Sequence, residues 1–228
     1  MKIRKSLLYL FCLSLPFNLY GQDWPNFNRY RQDNYQVGMP AENENRIVFM
    51  GNSITEGWSV TYPEFFNGKP YINRGISGQT TPQMLVRFRA DVIDLKPKAV
   101  VILAGTNDIA GNTGPSTVKM IADNIFSMAE LAKEHNISVI ISSVLPVYKY
   151  SWIEEDLDPV PIISRLNAII KNYALKNGHI YLDYYSEMVD ERMGLMEEYT
   201  PDGVHANKAG YKVMLSLIHI SEPTRRYA

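Results

Sequence analysis

Cysteine is all but missing from this chain of 228 residues, in which Cys12 is the only one. A single thiol excludes an intrachain disulfide framework and a site built from paired thiolates. Positive charge is short as well, with 23 Lys and Arg against 24 Asp and Glu. Three of those cations fall in residues 1–21 and two in residues 215–228, so the long middle stretch is net acidic. It carries no basic cluster of the kind that grips a nucleic-acid backbone, and nucleic acid is not an expected partner. Internal repeats and low-complexity linkers are also lacking, which speaks against solenoids and adhesive arrays.

Apolar runs are present only in short lengths. The longest, Leu7-Leu8-Tyr9-Leu10-Phe11-Cys12-Leu13-Ser14-Leu15, is too short to cross a bilayer. It follows Lys2, Arg4 and Lys5 and gives way to Pro16 and Gly21-Gln22. That order reads as a secretory signal peptide over residues 1–21, cleaved after Gly21, and predicts a secreted or periplasmic protein without a stable membrane anchor. Phe11 is too bulky for the residue before a lipoprotein cysteine. At the other end, residues 215–228 read Leu-Ser-Leu-Ile-His-Ile-Ser-Glu-Pro-Thr-Arg onward. This resembles a translated sequencing adapter more than the continuation of a helix begun at Asn207, so a non-native, loosely packed tail is expected there. Between the ends lie a polar, aromatic-dotted lead, residues 22–45, and one domain, residues 46–214, long enough for a full core.

Within that domain, strand-like runs at 46–50, 71–73, 99–103, 138–143 and 180–183 alternate with helical stretches at 81–94, 116–135 and 161–177. Several of the strands are unbroken Val/Ile runs, as expected when both faces of a parallel sheet are covered. Pro97 and Gly178 close two of the helices. The pattern predicts an α/β fold: a three-layer α/β/α sandwich, flavodoxin-like, with about five parallel strands and right-handed crossovers.

The polar residues that interrupt this pattern are placed for chemistry. Ser53, in Gly51-Asn52-Ser53-Ile54-Thr55, stands just past the apolar run Ile47-Val48-Phe49-Met50, where an α/β hydrolase exposes a nucleophile. Asn73-Arg74-Gly75-Ile76-Ser77-Gly78-Gln79 follows the next strand, and its glycines let backbone N–H groups approach a ligand. Gly105-Thr106-Asn107-Asp108 follows the third strand and offers a side-chain amide. Far downstream, Asp202-Gly203-Val204-His205 sets a carboxylate beside an imidazole in one tight loop. Each piece alone is an ordinary turn. Four of them in this order, three just past strands, point to acyl transfer. His135 and His179 lack spaced acidic or histidine partners and read as a helix-end and a turn residue.

These four stretches resemble the blocks of the SGNH (GDSL-type) esterase and acetylhydrolase family from about residue 46 to 213. The resemblance implies the same fold and a serine hydrolase needing no metal or cofactor. Residue by residue it implies Ser53 as nucleophile, His205 as base and Asp202 as its partner. It also implies an oxyanion hole formed by the Ser53 N–H, the Gly78 N–H and the Asn107 amide. The first block reads Gly-Asn-Ser-Ile in place of Gly-Asp-Ser-Leu, a variant of the carbohydrate-esterase branch that keeps the nucleophile and weakens a lipase reading. Tyr148, Tyr150 and Trp152, in the long stretch after the fourth strand, are candidates to stack on sugar rings, or else to pack that stretch onto the body. The expected substrate is a small-molecule or glycan ester, with an O-acetyl group on carbohydrate foremost. A lysophospholipase or thioesterase activity, or an inactive glycan-binding protein on the same scaffold, stays open.

Overall fold

A computed structural model describes residues 22–153 and 156–221; the stretch read as a signal peptide, residues 1–21, and the last part of the tail, residues 222–228, lie outside it. Five strands form one parallel sheet: β1 (Ile47–Gly51), β2 (Tyr71–Gly75), β3 (Ala99–Leu103), β4 (Ser138–Ser142) and β5 (Ile180–Leu182). Their spatial order is β2-β1-β3-β4-β5, the flavodoxin-like order. From β1 the chain steps outward to β2, then returns to the other side of β1 as β3. The carboxyl ends of β1 and β3 therefore flank the point where the winding reverses, which is where open α/β sheets hold ligands.

Alternation along the strands divides the core between the two faces. Val48, Met50, Val100, Ile102, Val139 and Ile141 face α3 (Thr81–Asp91), α5 (Val118–Glu134) and α6 (Pro159–Lys176). Phe49, Val101, Leu103 and Ile140 face α2 (Ser53–Thr61), α7 (Tyr184–Met188) and α8 (Lys208–Ser221). Trp58 of α2 stacks between Phe65 at 4.7 Å and Tyr211 of α8 at 5.2 Å, so an aromatic layer joins the two helices. Every sheet residue from Val48 to Gly51 and from Ala99 to Leu103 is buried, and the unbroken apolar runs are explained by that two-sided cover.

Two segments depart from expectation. The lead is not a bare extension: α1 (Asn28–Val37) lies on the body and buries Tyr30, whose hydroxyl donates to the Gly75 carbonyl. Asn34 of α1 also donates to Asp91 of α3 at 2.6 Å and accepts from Arg74 at 2.9 Å. The tail is the second departure. Loose packing from Leu215 onward does not hold as far as the side chains are described: α8 runs on past Met214 to Ser221, and Ile218 is buried in the same layer as Met214. The spacing Tyr211, Met214, Ile218 keeps one apolar stripe on the sheet.

Candidate active site

Ser53 is the first residue of α2, capped by Asn52, whose side-chain oxygen accepts the Ile54 N–H at 3.0 Å. A residue at this position has no intrahelical partner for its own N–H, so both its hydroxyl and its amide are available. Two glycines make the sharp exit possible. A Cβ on Gly51 would lie 2.0 Å from the Thr55 hydroxyl and 2.8 Å from the Leu103 carbonyl, and one on Gly75 would lie 2.1 Å from the Glu56 amide nitrogen. Strand ends and helix start are in direct backbone contact at this corner.

His205 meets Ser53 from the loop before α8. Ser53 Oγ and His205 Nε2 are 2.9 Å apart, and His205 Nδ1 is 2.7 Å from Asp202 Oδ2. A carboxylate only accepts, so Nδ1 carries the proton and Nε2 is left to accept from the Ser53 hydroxyl. The loop is self-bracing: Asp202 Oδ1 accepts the Val204 and His205 amides at 2.9 and 2.8 Å, and the Thr200 hydroxyl donates to the His205 carbonyl at 2.7 Å. Partial burial disfavours charge on Asp202, but the His205 and Val204 amides and the imidazole outweigh it and hold the carboxyl below its ordinary range. Gly203, at φ +83°, makes the turn that brings carboxylate and ring together. On the far side, the Tyr211 hydroxyl donates to the Ile54 carbonyl at 2.7 Å and fastens α8 to the helix that begins with Ser53.

The third wall is the loop after β2. Gly78 sits at φ +78°, its carbonyl accepting from Asn112 Nδ2 at 3.1 Å, and the next carbonyl, of Gln79, accepts from Asn107 Nδ2 at 2.9 Å. Asn107 therefore lies beside the Gly78 turn, with one of its two amide hydrogens committed to Gln79 and the other free of that bond. Asp108 accepts the Thr81 amide at 3.0 Å and the Thr81 hydroxyl at 2.5 Å, joining the start of α3 to the short helix α4 (Thr106–Ile109) that carries Asn107. Burial pushes the Asp108 carboxyl up to about 6, against the opposing pull of the Thr81 donors. Arg87, fully buried on α3, donates to Gln79, Asp91 and the carbonyls of Gly51 and Arg74. A buried guanidinium so completely paired is a scaffold for the loop ends rather than a free charge.

Of the residues singled out by sequence, Ser53, Asp202 and His205 converge on one hydrogen-bonded chain, with Gly78 and Asn107 together on a neighbouring wall. The aromatic trio separates. Trp152, 45 % exposed, sets its ring 6.5 Å from that of His205. Tyr150 is 1 % exposed and bonds through its hydroxyl to the Thr106 hydroxyl at 2.9 Å. It packs the stretch onto the body and cannot stack on a ligand. Tyr148 is exposed and lies against Gly194; like Trp152 it is not among the lining of the cleft beside Ser53. That cleft has a volume of about 800 Å³, and Arg29, Asp33, Glu56, Ser59 and Asn73 stand among its lining together with Ser53 and His205. Arg29 and Asp33 come from α1, inside the stretch that reads as a lead. Glu56 and Arg87 carried no motif signal, since their partners include groups distant in sequence, and Thr200, which braces its own loop through near neighbours, belongs to none of the four stretches singled out.

Residues 49–213 match the model of the GDSL-like Lipase/Acylhydrolase family. A GDSL-like lipase of Bacteroides thetaiotaomicron has a crystal structure that superposes with a TM-score of 0.85 at 48 % identity, over 87 % of this chain and 98 % of that one. An acetylxylan esterase of Xylanibacter ruminicola is 24 % identical over 80 % of this chain and 44 % of its own length. The human isoamyl acetate-hydrolyzing esterase 1 homolog is 26 % identical over 75 % of this chain and 78 % of its own. The chain spans only about half the length of some of the curated relatives it matches, 49 % in one case and 44 % in the acetylxylan esterase.

Proposed function

The chain belongs to the GDSL-like lipase/acylhydrolase family, an ester-hydrolase family, and from that premise we propose that it is a serine esterase removing short acyl groups, acetyl foremost, from carbohydrate. The observation that carries the reading is the chain of two hydrogen bonds, Ser53 to His205 at 2.9 Å and His205 to Asp202 at 2.7 Å. In this reading His205 takes the Ser53 proton as Oγ attacks the ester carbonyl, and Asp202 steadies the imidazolium that forms. The oxyanion is received by the Ser53 and Gly78 N–H groups and the Asn107 amide, each contributing about 3 kcal/mol to lowering the barrier. His205 returns its proton to the departing alcohol, and water, activated by the same imidazole, releases the acid.

Support for an acetyl ester of a sugar comes from the surroundings of Ser53. The cleft beside it carries Arg29, Asp33, Ser59 and Asn73, groups that exchange hydrogen bonds with a polyol, among apolar neighbours that include Val37, Val60 and Ile72. Trp152 stands exposed next to His205, an amphipathic face on which a sugar ring can lie. Names of two relatives, an acetylxylan esterase and an isoamyl acetate-hydrolyzing esterase, point to acetyl esters. Export from the cytoplasm, on the strength of the leader-like residues 1–21, belongs to the same proposal.

The test is a panel of acetylated oligosaccharides and of p-nitrophenyl esters from acetyl to octanoyl, with Ser53→Ala alongside. We expect kcat/KM to fall steeply with acyl length, and Ser53→Ala to lose about three orders of magnitude or more in kcat while folding normally. A profile rising with chain length would favour the lysophospholipase or thioesterase reading. Activity retained in Ser53→Ala would remove the serine mechanism, and an inert wild type would leave a glycan-binding protein.

A further inference from the structure

Glu56 sits one turn beyond Ser53 on α2, and nothing in the mechanism above uses it. Its carboxylate nevertheless reaches three groups from two other parts of the chain. Oε2 accepts both the amide of Ser77, at 2.8 Å, and the Ser77 hydroxyl, while Oε1 accepts from Arg29 of α1 at 3.0 Å. Ser77 is bonded directly to Gly78, so the peptide unit that supplies the Gly78 N–H begins at the residue Glu56 holds. Further along, the same loop is held by the side-chain amides of Asn112 and Asn107, which donate to the Gly78 and Gln79 carbonyls, and by Arg87, which donates to the Gln79 side chain.

The geometry points to Glu56 as a positioning residue: braced by Arg29, it ties the Ser77–Gly78 peptide to the first turn of α2 and so fixes the Gly78 N–H against Ser53. This rests on the serine-esterase reading and extends it to a residue that lines the cleft but whose carboxylate is committed to Ser77 and Arg29 and makes no bond to Ser53 or His205. Burial works against charge on Glu56, yet the Ser77 hydroxyl and amide and the Arg29 guanidinium outweigh it and hold the carboxyl below its ordinary range, so the acceptor is ionised at neutral pH. Its place in the first turn of α2 adds the favourable field of the helix N-terminus. Tyr30 reinforces the arrangement by donating its hydroxyl to Gly75, just before this loop, so α1 grips the oxyanion wall at two points.

What this device contributes is separable from stability. The Arg29 side chain is 47 % exposed and that of Glu56 25 %, and ion pairs so open to water add little to folding. A donor displaced by about 1 Å, in contrast, costs on the order of a hundredfold in rate. The signature is therefore a fall in kcat without a matching fall in KM or in melting temperature.

The experiment measures kcat and KM for p-nitrophenyl acetate, and thermal melting, in the full chain and in Glu56→Ala, Glu56→Gln, Arg29→Ala and Ser53→Ala. Glu56→Ala should lose about 10- to 100-fold in kcat with KM within about twofold. Glu56→Gln, whose amide oxygen still accepts from Ser77, should recover part of the loss, and Arg29→Ala should lie between Glu56→Gln and wild type. If Glu56→Ala does not fold, the comparison passes to Glu56→Gln and Arg29→Ala. The clamp is refuted if kcat in these variants stays within about twofold of wild type, or if it falls only in step with melting temperature and glutamine restores nothing. Ser53→Ala separates the two levels: inactive Ser53→Ala beside a fully active Glu56→Ala overturns the clamp alone, whereas active Ser53→Ala overturns the reading beneath it.

Discussion

Replacing Gly75 by alanine puts a methyl group where the backbone has left no room. Its Cβ would stand 2.1 Å from the Glu56 amide nitrogen and 2.7 Å from both the Asn52 carbonyl and the Glu56 Cα. None of these is the movable end of a side chain. Restoring a van der Waals separation of about 3.5 Å requires β2 and the start of α2 to part by more than about 1 Å. Ser53 opens α2, so the shift falls on the Ser53–His205 hydrogen bond of 2.9 Å and on the Glu56–Ser77 contact together. Overpacking of this kind costs roughly 1–3 kcal/mol, which in a domain of this size lowers Tm by about 3–10 °C. Displacement of the nucleophile by about 1 Å costs on the order of a hundredfold in kcat/KM. The assay is hydrolysis of p-nitrophenyl acetate beside thermal unfolding, with Gly68→Ala as the control. Gly68, unlike Gly75, has a positive φ, +71°, and its Cβ would meet nothing within 4 Å. That control should lose about 1–2 kcal/mol of stability and keep its rate. A folded Gly75→Ala variant with kcat/KM within threefold of wild type would refute the argument that this corner positions Ser53.

Two further outcomes follow from the site's surroundings. Trp152→Ala should raise KM for an acetylated oligosaccharide by about 3- to 12-fold, the worth of one aromatic contact, and change kcat/KM for p-nitrophenyl acetate by less than twofold; equal effects on both substrates would remove Trp152 from sugar binding. Asp108 gives a pH effect whose sign is fixed by its raised value of about 6 against 3.8 for the free carboxyl. The folded state binds the proton more tightly than the unfolded chain, so this group's stabilisation is fully present below pH 3.8 and is lost as pH rises through 6. Denaturant unfolding should accordingly show wild type losing roughly 1 kcal/mol relative to Asp108→Asn between pH 5 and pH 7.5, and a pH-independent difference would contradict the buried, hard-to-charge carboxyl.

Much of this protein is legible in its sequence because the signals are local. A strand buried on both faces writes itself as an unbroken Val/Ile run, and a loop that must leave such a strand sharply favours Gly, Asn or Ser at once, which marks the stretches around Ser53, Gly78 and Asn107; the roles of these residues and of Asp202 and His205 come from the family resemblance. Their convergence agrees with the parallel sheet that the alternating β and α runs imply. The tertiary structure decided the rest, through contacts between residues far apart in sequence. Helix α1 is polar along most of its length and shows no apolar stripe; it docks through Tyr30, Asn34 and Arg29, whose partners lie on β2, α2 and α3. Tyr150 and Trp152 are near neighbours in one loop, yet one is sealed beneath Thr106 and the other open beside His205, a difference set by how the loop folds back and not by residue type. Glu56 and Arg87 look like surface charges on short amphipathic helices until the ends of β1 and β2 close over them. Local propensity fixes which residues can form a strand end or a turn; which side chain a charged group meets across tens of residues depends on the packed arrangement of the whole sheet.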